Sequence, residues 1–336
     1  MIAELVQKRL NGGNFSQQEA QQFFSAVVAG EVDPIDLTAV LVAGKLQGIQ
    51  AEEVAGAAQA LRAAATPFPV QAHNSIDCCG TGGDGSNTIN ISTTSAIVAA
   101  AAGLSVAKHG NRSVSSKSGS ADLLESLGVN IQLSPEQAAH SLQQAGCAFL
   151  FAPLYHAGIR HAMPVRQQLK TRTLFNVLGP LLNPAAPGFQ LLGVYDPALG
   201  PVMAQALEQL DVRTAWVVHG SGCDEIALHG PTEVTELHNG VIRQFTLTPA
   251  DFGLPERSLQ ELAGGSPTEN AAASLAILQG KGLPAHQDAI AANVAAMMAI
   301  TGMNADLKDN VAHIKQLLST DQGYRTLQLM KEASHG

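Results

Sequence analysis

At 336 residues the chain is long enough for one large domain or two modest ones around a sizeable buried core. Its 46% hydrophobic and 14% charged residues exclude a disordered chain. The net charge of −9 argues against a general nucleic-acid binder, whose affinity rests on a basic surplus.

The start, "MIAELVQKRLNGGNF", lacks a signal-peptide apolar core, and no apolar run reaches membrane-spanning length. A soluble, cytoplasmic protein with no membrane partner is expected. The first stretch reads as helices only. Ser16 caps an amphipathic run that ends at Ala29, with Gly30 as the stop. Asp33 caps the next run, with Pro34 in its first turn and Gly48 at its end. "AEEVAGAAQALRAAA" makes another helix before the break "TPFPV". A helical domain over residues 1–70 is therefore expected, followed by an α/β domain over residues 71–336.

From Ser75 onward, short apolar runs alternate with helices. Strands are predicted at "SIDCC", "LSVAK", "CAFLF", "FQLLGVY" and "TAWVVHG". Helices are predicted at "ISTTSAIVAAAAG", stopped by Gly103, at "SADLLESLG", and after Ser134, which forms a capping box with Gln137. The stretch around residues 155–185 lacks strand character and is expected to be helical, part of it joining the N-terminal helices. "SPTENAAASLAILQGKG" and the last fifty residues are expected to be helical again. The alternation predicts an α/β fold: a mainly parallel sheet flanked by helices, with a smaller all-helical domain beside it.

Ligands in such sheets sit beyond the carboxyl ends of the strands. Three polar, glycine-containing segments fall there. In "GTGGDGSNT", after the first strand, Gly80, Gly82 and Gly83 allow close approach to backbone N–H groups, and Asn90, Ser92 and Thr93 offer partners at a helix start. An ordinary βα turn is the plain alternative. The loop fits neither the Walker A pattern nor the dinucleotide fingerprint, which argues against a nucleoside triphosphate or NAD. In the second segment, "KHGNRSVSSKSGS", Lys108, Arg112 and Lys117 stand among five serines. Between Lys108 and Arg172 there are seven Lys/Arg against three Asp/Glu, a local basic excess in an acidic chain that suits a small anionic ligand. Two anion loops on neighbouring strands suggest two phosphate groups. The third segment, "GSGCDE", places Asp224 and Glu225 after a strand, where each could hold Mg²⁺ against a diphosphate. A surface acid pair is the alternative there.

The four cysteines, Cys78, Cys79, Cys147 and Cys223, show no C-x-x-C spacing and read as reduced, small apolar residues. His156, His161, His219 and His229 form no zinc motif. His109, inside the second loop, is open to either an orienting or an acid–base role.

Taken together, "DCCGTGGDGSNTINIST", "KHGNRSVSSKSGSADLLESLG", "RHAMPVRQQLKTRTLFNVLGPLLNP" and "GSGCDEIALHG" resemble the anthranilate phosphoribosyltransferase family over essentially the whole chain. The resemblance implies a nucleoside phosphorylase/phosphoribosyltransferase-like fold and, as a rule, a homodimer. It also implies transfer of the phosphoribosyl group of 5-phosphoribosyl 1-diphosphate to the amine of anthranilate, in tryptophan biosynthesis. Carried over by motif, Gly80, Gly83, Asp84, Thr88, Asn90, Ile91, Ser92 and Thr93 would bind the phosphoribosyl diphosphate. Lys108, His109, Gly110, Asn111, Arg112, Ser113, Val114, Ser115, Ser116 and Ser120 would complete that site. Gly80, Asn111 and Arg166 would contact anthranilate, and Ser92, Asp224 and Glu225 would hold Mg²⁺, as two ions. Lys108, His109 and Arg166 are the catalytic candidates. One departure from the family pattern is "YHAGIR", where Ala157 stands in place of the expected proline. A pyrimidine nucleoside phosphorylase-like enzyme is the nearest rival, and a non-catalytic nucleic-acid-binding relative the third reading. The tandem acids oppose the first, and the negative charge with an intact "GTGGDG" opposes the second.

Overall fold

The computed structural model describes residues 2–113 and 117–335; the expected phosphate ligands Val114, Ser115 and Ser116 lie outside the described residues. The chain opens with four helices: α1 (Ile2–Leu10), α2 (Gln17–Ala29), α3 (Pro34–Gln47) and α4 (Ala51–Ala63). Their caps follow the sequence signals. Ser16 and Glu19 form a reciprocal capping box on α2, and Gly30 takes the left-handed conformation that ends it. The Asp33 side chain accepts the Ile35 N–H at the start of α3.

Strand and helix then alternate through β1 (Ile76–Gly80), α5 (Ile91–Ala101), β2 (Val106–Gly110), α6 (Ser120–Ser126), α7 (Pro135–Ala145) and β3 (Cys147–Phe151). Short helices follow: α8 (Ala152–Tyr155), α9 (Met163–Leu169) and α10 (Phe175–Leu178). Next come β4 (Phe189–Gly193), α11 (Leu199–Gln209) and β5 (Thr214–Gly220). A hairpin of β6 (Thr232–His238) and β7 (Val241–Leu247) precedes the last four helices. These are α12 (Pro267–Leu278), α13 (Pro284–Thr301), α14 (Leu307–Leu318) and α15 (Gln322–His335).

The seven strands form one sheet in the order β3-β2-β1-β4-β5-β6-β7. The first five are parallel, and β6 and β7 are antiparallel. The hairpin escaped the sequence reading. Its signal was the two-residue turn Asn239–Gly240, with φ of 49° and 80°. Positive φ at both central positions is what Asn-Gly hairpins supply. The polar residues interleaved in "TEVTELHNGVIRQF" hid it, because β7 is an edge strand left half-buried to exposed rather than a continuous apolar run.

Alternation along the strands divides the core between the two faces of the sheet. Ile76, Cys78, Leu191 and Val218 pack against α5, α13 and their neighbours. On the opposite face Leu192, Ala215 and Val217 share one cluster with Met203 and Leu207 of α11 and with Phe23, Val54 and Leu61 of the helical bundle. Ala162, Val165, Phe175 and Leu178 belong to that same cluster. The helix α5 is apolar on nearly every side and buried accordingly, which fixes its N-terminus behind the glycine loop.

Candidate active site

The strand order reverses direction between β1 and β4, and the crevice at their carboxyl ends is where an open α/β sheet receives a ligand. Four of the five parallel strands end in glycine there: Gly80, Gly110, Gly193 and Gly220. The segment after β5 is the reason for three of them. A Cβ on Gly80 would lie 2.1 Å from Asp224 Oδ2, one on Gly193 1.6 Å from the Asp224 carbonyl oxygen, and one on Gly220 2.3 Å from the Glu225 carbonyl oxygen. The segment after β5 thus folds back across the strand ends, and only glycine lets it pass. At Gly80 the space a side chain would need is taken by Asp224.

Asp224 grips the first loop directly: the Gly82 N–H donates to its Oδ2 at 2.7 Å. Gly82, Gly83 and Gly85 all have positive φ, so this loop needs glycine for its backbone path. Asp84 lies within the same group of charges. Its Oδ1 accepts the Ser86 N–H at 3.4 Å, and its Oδ2 is buried with no hydrogen-bond partner among the described residues. Burial, then the Asp84 charge, pushes the Asp224 carboxyl up to about 6. Burial, then Asp224, pushes Glu225 up to about 8, although Lys108 and the Ser92 N–H pull it down. Three carboxyl groups therefore crowd one end of the sheet, and each resists the ionisation of the next.

Among the described residues no group of three or more His, Cys, Asp or Glu side chains is disposed to hold a metal ion alone. Paired acids with an orphaned oxygen beside them still suit Mg²⁺, which binds through one or two carboxylates and completes its shell with water and phosphate oxygens. The donor set fits the ion when a diphosphate is present to share it.

Behind the acids, Lys108 is buried in the sheet. Its ammonium donates to the Cys78 carbonyl and, at 3.4 Å, to Ser92 Oγ at the start of α5. Burial lowers its pKa, but the negative groups around it, Asp77 and Glu225 among them, leave it raised overall. The second loop is tied to the first: Asn90 Nδ2 donates to the Ser118 carbonyl at 3.0 Å, and Thr93 Oγ1 donates to Ser120 Oγ at 3.0 Å. Asn270 of α12 donates to Asn90 Oδ1 at 2.8 Å, a support the sequence did not announce. Thr88 forms an isolated bridge with Ala263, and Ile91 is buried at the helix start. Gly110 meets Phe149 and Ser120, which bars a side chain at the end of β2.

Several sequence candidates take other positions. Arg112 is already neutralised, by Asp122 at 3.1 Å and Glu125 at 2.5 Å. Asp122 also accepts the N–H groups of Ser113 and Gly119, at 3.0 and 2.9 Å. Asn111 lies exposed, with its Oδ1 accepting the Arg112 N–H. His109 turns away from the loop because neighbouring residues on a strand face opposite sides. Its ring lies edge-on to His156 at 5.2 Å, with Nδ1 3.3 Å from the Gly179 carbonyl oxygen, and burial, then His156, lowers its pKa to about 3. It is neutral and interior, which argues against proton transfer at the loop. Arg166, half-buried on α9, lies 5.2 Å from the Phe175 ring and has no ion-pair partner among the described residues.

Two families of contact were not foreseen. Asp77, fully buried on β1, accepts Asn183 Nδ2 at 2.8 Å and the His109 N–H at 3.3 Å, and burial raises it to about 6. Arg172 donates to the Gly83 carbonyl at 2.5 Å.

Residues 3–65 match the model of the glycosyl transferase family helical bundle domain, and residues 72–324 match the a/b domain of the same family. The chain is 53% identical over 335 residues to anthranilate phosphoribosyltransferase of Pseudoalteromonas translucida, covering 100% of this chain and 94% of the relative. This chain belongs to the anthranilate phosphoribosyltransferase family. It is also 54% identical to the enzyme of Aeromonas salmonicida, with 96% of each chain covered. The crystal structure of anthranilate phosphoribosyltransferase from Thermus thermophilus superposes with a TM-score of 0.94 at 41% identity, over 99% of both chains. The Saccharomyces cerevisiae enzyme in complex with phosphoribosyl diphosphate and Mg superposes at 0.88 with 27% identity, over 99% of this chain and 98% of that one.

Proposed function

We infer that this chain moves the phosphoribosyl group of 5-phosphoribosyl 1-diphosphate onto the amine of anthranilate, giving N-(5-phosphoribosyl)anthranilate and diphosphate, a step of tryptophan biosynthesis. The observation that carries this reading is the meeting of the glycine loop with Asp224 at the switch point, Gly82 N–H to Oδ2 at 2.7 Å. A diphosphate seated there faces N–H donors, a helix start and paired acids at once.

The reaction breaks the bond from the anomeric carbon to diphosphate and forms a bond from that carbon to nitrogen, while the amine gives up a proton. Charge develops on the diphosphate and a cation-like ribose remains. In this reading, loop N–H groups with Asn90, Ser92 and Thr93 bind the phosphates, and fixed donors at a developing charge supply the largest catalytic effect. Mg²⁺, when bound, neutralises the leaving diphosphate. Ser92, Asp224 and Glu225 would hold it, with Asp84 beside them. Lys108 is buried beneath Ser92. Its charge acts through Ser92 and Glu225 rather than by direct contact with phosphate. Arg166 has no acid partner among the described residues. It would take the anthranilate carboxylate as a bidentate pair, with Asn111 alongside. The aromatic amine is neutral at pH 7, so no strong base is demanded.

A homodimer fits the helical bundle, where Leu10, Ile35 and Leu46 are 51%, 79% and 80% exposed. All four cysteines are free, and among the described residues no helix is long and apolar enough to cross a membrane. A cytoplasmic setting agrees with both.

The test is anthranilate fluorescence. It should fall only when the chain, phosphoribosyl diphosphate and Mg²⁺ are all present. Phosphorolysis of a pyrimidine nucleoside with no loss of anthranilate would replace this reading with the phosphorylase one.

A further inference from the structure

Arg172 stands in the short link between α9 and α10, on the side of the helical bundle. Two residues before it, Lys170 has φ +46°, a left-handed backbone that ends α9. Thr171 accepts a hydrogen bond from Lys45 of α3, so the link is anchored to the bundle. The Arg172 guanidinium lies 3.8 Å from the centroid of the Tyr195 ring and donates to the Gly83 carbonyl at 2.5 Å. Tyr195 is itself fixed to the other side of the switch point, where its N–H donates to Thr81 Oγ1 at 3.1 Å.

From these contacts we propose that Arg172, held over the Tyr195 ring, is the positioning residue that sets the peptide plane between Gly83 and Asp84 for diphosphate binding. The inference rests on the diphosphate reading of this loop. A trans peptide is planar, so its carbonyl and N–H point in opposite directions. Gly83 has φ +77°, and Gly82 and Gly85 are equally permissive, so the glycines' own preferences do not fix that plane. A guanidinium on the carbonyl does, and it turns the Asp84 N–H to the opposite side. Asp224 grips the loop from one direction at the Gly82 N–H, and Arg172 grips it from the other. The ring contact limits the rotamers that Arg172 can adopt, which lysine cannot reproduce because it lacks a planar, multiply donating head.

Arg172 and Gly83 are both exposed, so removing the side chain leaves the core untouched. Arg172→Ala should raise KM for phosphoribosyl diphosphate about tenfold, the loss expected for a hydrogen bond to a charged donor. KM for anthranilate and the melting temperature should stay at their wild-type values. Arg172→Lys should restore little, Tyr195→Phe should behave as wild type, and Tyr195→Ala should match Arg172→Ala. The double alanine variant should be no worse than either single one, because both remove the same grip. Calorimetric titration with phosphoribosyl diphosphate and Mg²⁺ separates the possible failures. If wild type binds and Arg172→Ala binds equally well, or if the two alanine effects multiply, the positioning role is overturned. If wild type takes up no phosphoribosyl diphosphate, the diphosphate reading of the loop falls first.

Discussion

The Gly82 N–H donates to Asp224 Oδ2 at 2.7 Å, across 142 positions of sequence. That single bond joins the loop after β1 to the loop after β5, and it occurs where the strand order reverses. It also separates two glycines that look equivalent in "GTGG". Gly80 is glycine because Asp224 occupies the space before it; Gly82 is glycine because of its φ of +65°, with nothing among the described residues within 4 Å of where a Cβ would stand.

Gly80→Ala and Gly82→Ala should therefore differ in kind. The first drives a methyl group into Asp224 and should abolish turnover along with the Mg²⁺ response. The second meets open space and pays only the left-handed backbone penalty, about 1–2 kcal/mol. It should lower the melting temperature slightly and weaken phosphoribosyl diphosphate binding moderately. Equal losses in both variants would contradict the assignment.

Arg166→Ala should raise KM for anthranilate roughly 10- to 100-fold, the range for losing a charge-assisted pair worth about 1.5–3 kcal/mol. KM for phosphoribosyl diphosphate should barely move, because Arg166 packs on Phe175 in α10 and forms no ion pair with the acids among the described residues. Steady-state kinetics with each substrate varied in turn decides it. A variant that mainly lost diphosphate affinity would place Arg166 in the wrong subsite.

The crowded acids make a pH prediction. Folding raises Glu225 from 4.5 to about 8 and Asp224 from 3.8 to about 6. A raised carboxyl stabilises the fold fully below its unfolded pKa, and that stability is lost as pH rises through the folded value. Without Mg²⁺, the melting temperature should fall by a few degrees between about pH 5 and pH 8. Glu225→Gln should remove the upper part of that fall. Asp77, raised to about 6, contributes in the lower part and is untouched by the variant. The binding of Mg²⁺ with phosphoribosyl diphosphate should release protons near pH 7, seen as a dependence of the calorimetric heat on the buffer's ionisation enthalpy. Parallel stability curves and no proton release would show that these acids do not titrate in this window.

What the sequence disclosed was local. Ser16, Asp33 and Ser134 announced their helices because a cap acts within four residues. "TAWVVHG" announced β5 because a strand buried on both faces is apolar throughout. The exposed β7 gave no such signal. At the site, the glycine loop and the tandem acids were legible as chemistry, but their partners were not. Nothing in "NRSVSSKSGSADLLE" said that Asp122 and Glu125 would neutralise Arg112. Nothing in "KTRT" said that Arg172 would reach Gly83, 89 positions away, because such a contact depends on how the bundle seats against the sheet. The direction His109 faces has a simpler cause. Lys108 faces α5, so alternation sends its neighbour to the other side of the sheet.

The most direct test of the central claim is a Mg²⁺ titration of anthranilate consumption in wild type and in the double variant Asp224→Asn, Glu225→Gln. The amides preserve size and remove two charges, so free anthranilate should bind as before. Turnover should collapse at low Mg²⁺ and recover in part at high Mg²⁺, with the midpoint shifted upward, because weakened sites refill by mass action. Coincident midpoints in the two proteins would show that Asp224 and Glu225 serve the fold and not the metal.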